Sequence, residues 1–239
     1  MRIAVGEVRK LLTIRTPLWF ALGSVVLAIL NVVAVGLASG TLDEIGEKEE
    51  ALGGMPMLLL FFGAVAVTAE FRHRTAAPTV LVSGTSSTTV TAVRLGATLV
   101  VGLAVAVLTT VAAFALGVPI VNGHHPGPDL TADHLVPLAA GCVLAGALSV
   151  LIGAALGALL RNQIAAVVAG IVVYFVAPPL VGTIDASAVD YTPSGSMQVL
   201  TRGVHGATHS FSESATALAA WAVGLTLIAI LAESRRDLG

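Results

Sequence analysis

Apolar residues along this chain come in long unbroken runs rather than in helical stripes or alternating pairs. From about Pro17 to Leu37 the only strongly polar residues are Ser24 and Asn31. Similar runs cover about Leu52 to Ala69, Leu95 to Ile120, Val136 to Leu160, Ile164 to Ile184 and Ser214 to Ala232. A bilayer-spanning helix needs about 20 mostly apolar residues. The pattern therefore predicts an all-α membrane protein with six transmembrane helices. A membrane β-barrel would alternate apolar and polar residues in segments of about ten, and no such segments occur. A Gly-Gly-Met-Pro stretch opens the second run, and Pro178-Pro179 near the outer end of the fifth predicts a kink.

Ahead of the first run, Ala4, Val5, Val8, Leu11 and Leu12 recur at helical spacing, while Arg2, Arg9 and Lys10 lie mainly on the other side. Residues 1–16 are therefore expected to form an amphipathic interfacial helix that turns into the first span at Thr16-Pro17. The alternative is one long first helix. Charges interleaved with apolar residues as far as Arg15 speak against a cleaved signal peptide. Residues 17–239 then form a single six-span domain.

Composition narrows the class. Of 239 residues, 56% are hydrophobic and 11% charged, and the mean hydropathy is +0.94. Soluble domains carry about 25% charged residues, so a soluble or disordered protein is excluded. A net charge of −2 leaves no basic excess for nucleic acid. Cys142 is the single cysteine, which rules out a disulfide framework.

Charge also sets orientation. With both termini cytoplasmic, the inner segments hold 10 of the 12 basic residues but only 4 of the 14 acids. That obeys the positive-inside rule at every loop, and a multi-pass plasma-membrane protein with both termini cytoplasmic is expected.

The spans lack reactive chemistry. Glu70 marks the inner edge of the second, and the other ionisable groups except tyrosine fall in loops or tails. Proton-coupled carriers place carboxylates or histidines at depth, and no HExxH or intramembrane Ser/His pair exists here. No catalytic residue is expected. A P-loop needs a lysine after a glycine-rich loop, and neither Lys10 nor Lys48 follows one. Any ATP and Mg would belong to another subunit, and this chain is expected to carry no cofactor.

Small residues Gly141, Ala145, Ser149, Gly153 and Gly157 recur every four positions in the fourth span, a stripe suited to close helix packing. Asn31 and Tyr174 are the notable polar groups at depth. Each either lines a substrate cavity or, as the favoured use, makes an interhelical hydrogen bond. His124, His125, Asp129, Asp133 and His134 crowd one outer loop, and His205 and His209 stand four apart in another. They read as solvated loop residues, with metal coordination as the alternative, and no metal site is expected.

The largest cytoplasmic segment, residues 70–94, opens Glu70-Phe71-Arg72-His73-Arg74-Thr75. Thr75 to about Val82 is expected to be a short helix stopping at Ser83-Gly84, and Ser86 or Ser87 to cap the next helix. Such a helix suits docking into a partner's groove. The alternative is an interfacial loop held by arginines near anionic lipid.

At this point the chain resembles the membrane subunit of a type-2 ABC exporter. The resemblance rests on four features. These are the N-terminal amphipathic helix, the Glu70 to Thr75 signature, the Pro193-containing segment between the last two spans, and the end Glu233-Ser234-Arg235-Arg236-Asp237-Leu238. It implies that Glu70, Phe71, Arg72, His73, Arg74 and Thr75 belong to a loop that couples to a separate ATP-binding subunit. It also implies a short re-entrant helix in the outer region 185–213, with Pro193, Met197 and Leu200 as candidate gate residues. Two permease copies are expected, a homodimer being favoured over a heterodimer, surrounded by lipid. The few polar groups in the spans suggest a lipophilic or amphiphilic cargo such as a drug, lipid or peptide. The competing readings are a non-transporting anchor or assembly subunit and a sodium-coupled carrier.

Overall fold

The computed structural model describes residues 2–38, 40–53, 56–72, 84–201 and 210–236. Among them there is no strand, and six helices are long and apolar enough to cross a membrane. Helix α1 (Arg2–Thr13) is separated from α2 (Arg15–Ala38) by Ile14 alone. A short helix α3 (Ile45–Leu52) precedes α4 (Pro56–Arg72). The third and fourth spans are α5 (Ser87–His124) and α6 (Ala132–Leu160). The fifth is composite: α7 (Gln163–Ile171), a π-turn (Val172–Val176) and α8 (Ala177–Ile184). A 3₁₀ turn (Ala186–Tyr191) leads into α9 (Pro193–Thr201), and α10 (Phe211–Arg236) is the sixth span.

Two features differ from the sequence expectation, each for a physical reason, while the start of α5 at Ser87 agrees with the expected Ser86 or Ser87 cap and lies eight residues ahead of the apolar run from Leu95. Ser86 caps it by accepting from the Thr89 N–H at 3.3 Å, and its first turns are polar, so hydropathy alone misses them. At 1.5 Å per residue its 38 residues reach about 57 Å, well beyond the hydrocarbon thickness. Arg94 therefore lies within a helix and not in a loop. Helix α3 replaces an expected outer loop, started by a reciprocal Glu44–Glu47 capping box. In the fifth span the proline pair opens α8, and the disturbance sits just before it. Pro178 and Pro179 have no N–H to donate to the carbonyls four residues back. The backbone widens instead to a π-turn, in which the Ala177 N–H reaches Val172.

The second and fourth spans form the centre. They are 80% and 61% buried over their apolar windows, against 11% for the fifth. Helices α4 and α6 come together through glycines. A Cβ on Gly153 would strike the Leu60 carbonyl, and one on Gly157 would lie 2.8 Å from the Ala64 carbonyl. In return, Gly63 of α4 abuts the Val150 carbonyl of α6. Lipid tails give helices little hydrophobic reason to associate, so close backbone approach of this kind carries the packing.

The end of the bundle that holds α1, the foot of α4 and the start of α5 is called the base here. At the opposite end the histidine-rich loop is built into structure. His125 accepts at Nδ1 from the Leu42 N–H (3.3 Å), so its Nε2 carries the proton that meets the Gly36 carbonyl at 2.6 Å. Asn122 pairs with both backbone groups of Leu130. Lys48, one of the charges expected in a loop, is fully buried and donates to the Pro128 carbonyl at 3.1 Å.

Candidate functional site

At the base, four charged side chains from three helices meet. Glu70, at the foot of α4, is 2% exposed. Its carboxylate is ion-paired with Lys10 of α1 and with Arg94 of α5. Glu7, one turn before Lys10, lies 3.2 Å from it and 3.9 Å from Arg94. Two acids and two bases balance, which is what burial demands, because an uncompensated charge here would lose its hydration with nothing in return.

The helix geometry dictates this arrangement. Glu7 follows half-buried Ile3 by four residues and precedes Leu11 by four, so it lies on α1's inward stripe. Glu7 and Leu11 are buried there, while Val5 and Leu12 are exposed. The apolar face expected for α1 is thus divided between the bundle and its surroundings. The face that docks carries a carboxylate because Arg94 waits for it.

The network continues across the base. The Phe71 ring lies between two guanidinium groups, Arg94 at 5.8 Å and Arg161 at 5.4 Å from its centroid. Such contacts contribute about 0.5–2 kcal/mol each. Arg161, in turn, is ion-paired with Glu233 near the end of α10. It ends α6 in the left-handed conformation with φ 50°. Asn162 then caps α7 by accepting from the Ile164 and Ala165 N–H groups at 2.9 and 3.1 Å. One chain of contacts thereby joins α1, α4, α5, α6 and α10 at a single level.

Of the expected loop signature, Glu70 and Phe71 are placed inside this network, not projecting from it. The Arg72 side chain, His73, Arg74 and Thr75 lie outside the described residues, as does the helix expected from Thr75 to Val82. Gly84, the first described residue after them, has a positive φ of 62°. His205 and His209 also lie outside the described residues. Among those described, no group of three or more potential metal ligands occurs.

A second polar node sits at mid-bundle. Helix α9 is buried over most of its length, including Pro193, Met197 and Leu200. The Met197 Sδ accepts hydrogen bonds from the Tyr174 hydroxyl (2.8 Å) and the Ser149 hydroxyl (3.0 Å). Ser149 is 11 residues from the base end of α6 and Tyr174 is 11 residues past the start of α7. At the helical rise that puts both about 16 Å into the bundle. Helix α9 therefore reaches the depth of mid-span, where non-helical connections are tolerated only if protein surrounds them. Its last turns are seated by Gly141, which meets the Leu200 carbonyl. Tyr174 and Met197 are thus brought together. Asn31 is half-buried on α2, whose main partners are α5 and α4, away from this node.

Replacing Met197 by leucine keeps the volume and removes the acceptor. The Ser149 hydroxyl also reaches the Ala145 carbonyl, so the loss falls on Tyr174. The expected outcome is destabilisation by about 1–3 kcal/mol, read as a lower midpoint in thermal unfolding in detergent. Adding Tyr174→Phe to Met197→Leu should restore much of it, since the buried hydroxyl is then gone.

Residues missed from the sequence are Glu7, Lys10, Arg94, Arg161 and Glu233. Lys10 is expected only on the polar face of the N-terminal helix and Glu233 only in the closing segment Glu233 to Leu238, while the other three count solely as cytoplasmic charges. A signal existed for Glu7, the lone acid on an apolar helical stripe.

Residues 51–231 match the family model described as ABC-2 family transporter protein. The match begins within α3 and runs into α10. No curated protein matches the chain.

Proposed function

The chain belongs to the ABC-2 family of transporter proteins, and on that premise we propose that this membrane subunit is the permease of an ATP-driven exporter. The base is the cytoplasmic face. The segment 70–94 couples the spans to a separate ATP-binding subunit, which supplies ATP and Mg. Two permease copies, most simply identical, work with two such subunits.

The observation that carries this reading is the position of Glu70. It stands where the coupling segment leaves α4, and it is ion-paired to α1 and to α5, the helix by which the segment returns. A displacement imposed on the segment therefore moves three helices as one body. Further along the transport path, at mid-bundle, the Tyr174–Met197–Ser149 node links α9 to the fifth and fourth spans. It serves as the outer gate that opens when the base closes. The π-turn that carries Tyr174 supports that role, because widened turns in helices are frequent at functional positions. The apolar walls and scarce polar groups favour a lipophilic or amphiphilic cargo.

Mild-detergent purification of the tagged chain from its host, followed by mass spectrometry, tests the coupling. A Walker-motif ATPase is expected in stoichiometric amount, and Arg72→Glu with Arg74→Glu is expected to reduce its recovery at least tenfold. Recovery of the chain without any ATPase would refute the assignment.

A further inference from the structure

Between the foot of α4 and the start of α7 the base opens into a cleft of about 630 Å³. That is within the range of ligand sites, about 300–1,000 Å³. Its two ends differ in chemistry. One end gathers hydrogen-bond donors. Arg161 bonds Glu233 through Nη2 and keeps its Nε buried, so the exposed part of its guanidinium is the Nη end. Its side chain remains 36% exposed. Asn162 uses Oδ1 to cap α7, which leaves its Nδ2 as a donor, and Gln163 stands beside it in the lining. The other end is a wall of Ile164, Val167 and Val168. Ile164 and Val168 are 77% and 51% exposed, on one face of α7.

The direction of these two ends matters. Helix α7 runs from the base into the membrane, so the donors lie at the level of the bilayer surface and the apolar wall leads toward its interior. A ligand that fits has an acidic head at the surface and a hydrocarbon tail below it. A guanidinium presents a fork of donors that matches a phosphate. The pairing of Arg161 with Glu233 uses one edge of that fork and leaves donors over. The cleft holds a headgroup and the upper part of a chain, and it is open enough for the rest of a lipid to extend into the bilayer.

We propose that the cleft between α4 and α7 binds one anionic phospholipid, with its phosphate on Arg161, Asn162 and Gln163 and an acyl chain along Ile164, Val167 and Val168. Through Arg161 the lipid touches the same Phe71 ring and Glu233 carboxylate that tie the base together. Occupancy is thereby linked to the charge network and not only to the membrane boundary. This site requires the chain to be embedded in a bilayer but does not require an ATPase partner, so it stands or falls separately from the coupling assignment.

Native mass spectrometry of the full chain, released from mixed phosphatidylglycerol and phosphatidylcholine micelles, tests the proposal. One phosphatidylglycerol per chain is expected to persist, preferred at least tenfold over phosphatidylcholine. Arg161→Gln should reduce the preference to near unity. Because that change also releases Glu233, a second variant guards against a loosened base. Val168→Trp fills the apolar arm, leaves every charge in place and should abolish the retained lipid while the unfolding midpoint stays unchanged. Retention indifferent to headgroup, or a Val168→Trp variant that still holds its lipid, would overturn the proposal. So would displacement of the lipid by millimolar glycerol 3-phosphate, which would mark a site for soluble phosphate.

Discussion

Replacing Glu70 by glutamine is expected to be among the most damaging single changes in the chain. The side chain keeps its shape but loses its charge. Lys10 and Arg94 are then left with Glu7 as the remaining carboxylate of the cluster, and Arg94 is 5% exposed. Breaking a buried ion pair on one side costs about 3–5 kcal/mol, most of it the desolvation of the charge left behind. That is a large share of the 5–15 kcal/mol that holds a typical domain folded. The expected result is a lower unfolding midpoint and a reduced monodisperse fraction in detergent. The control is a pair of apolar changes. Glu70→Leu with Arg94→Leu removes one acid and one base together, and should fall well short of the sum of the two singles. Stability then separates from function. On the proposed coupling, the double variant is expected to fold yet fail to pass motion from the 70–94 segment to α1 and α5, and an ATPase that co-purifies with it should lose stimulation by cargo. If Glu70→Gln unfolds at the wild-type midpoint, the cluster is a solvated surface group and the coupling argument built on it fails.

The fold was largely legible because bilayer thickness is a coarse ruler. Six apolar runs of adequate length predict six spans, and the six helices found in the structure overlap them. What escaped notice has a common cause. Hydropathy reports the average character of a window, and the base is held together by single charges set against apolar neighbours. Arg94 and Glu7 vanish in such an average. Seen as helix positions, each lies on a stripe that must pack. The start of α5 was legible from its cap, since Ser86 accepts from the Thr89 N–H, although Ser87 to Thr91 is too polar for hydropathy to include in the span. Lys48 is the counterpart at the other end. It falls in a connection between two apolar runs, but the capping box at Glu44 and Glu47 turns that segment into a helix. The Pro128 carbonyl then receives its ammonium. The Tyr174–Met197 contact links residues 23 positions apart through two interruptions of regular α-helix, a π-turn and a 3₁₀ turn. No spacing rule joins them.

The fourth-span stripe leads to the second large expected effect. Gly153→Leu should disrupt the bundle at its centre, and even Gly153→Ala should be severe. A Cβ at this position meets the Leu60 carbonyl, with the Ala64 backbone nitrogen 3.0 Å away. Both obstacles are main chain of the central helix, so no side-chain rotation relieves them. Overpacking typically costs about 1–3 kcal/mol where neighbours can adjust. Here α4 itself must move, and with it Glu70 at its foot. Gly157→Ala should be milder, because its Cβ would stand 2.8 Å from the Ala64 carbonyl and 3.2 Å from the Thr68 methyl. The internal standards are Gly96 and Gly224, where an added Cβ meets nothing within 4 Å. Alanine at either is expected to be neutral or to stabilise by up to about 1 kcal/mol, the ordinary helix preference for alanine over glycine. Unfolding midpoints measured for the four alanine variants side by side should rank Gly153 lowest, then Gly157, with Gly96 and Gly224 at or above wild type. A Gly153→Ala variant that unfolds with the two standards would mean that α4 and α6 do not approach at this register. The seating of Glu70 beneath them would then need a different account.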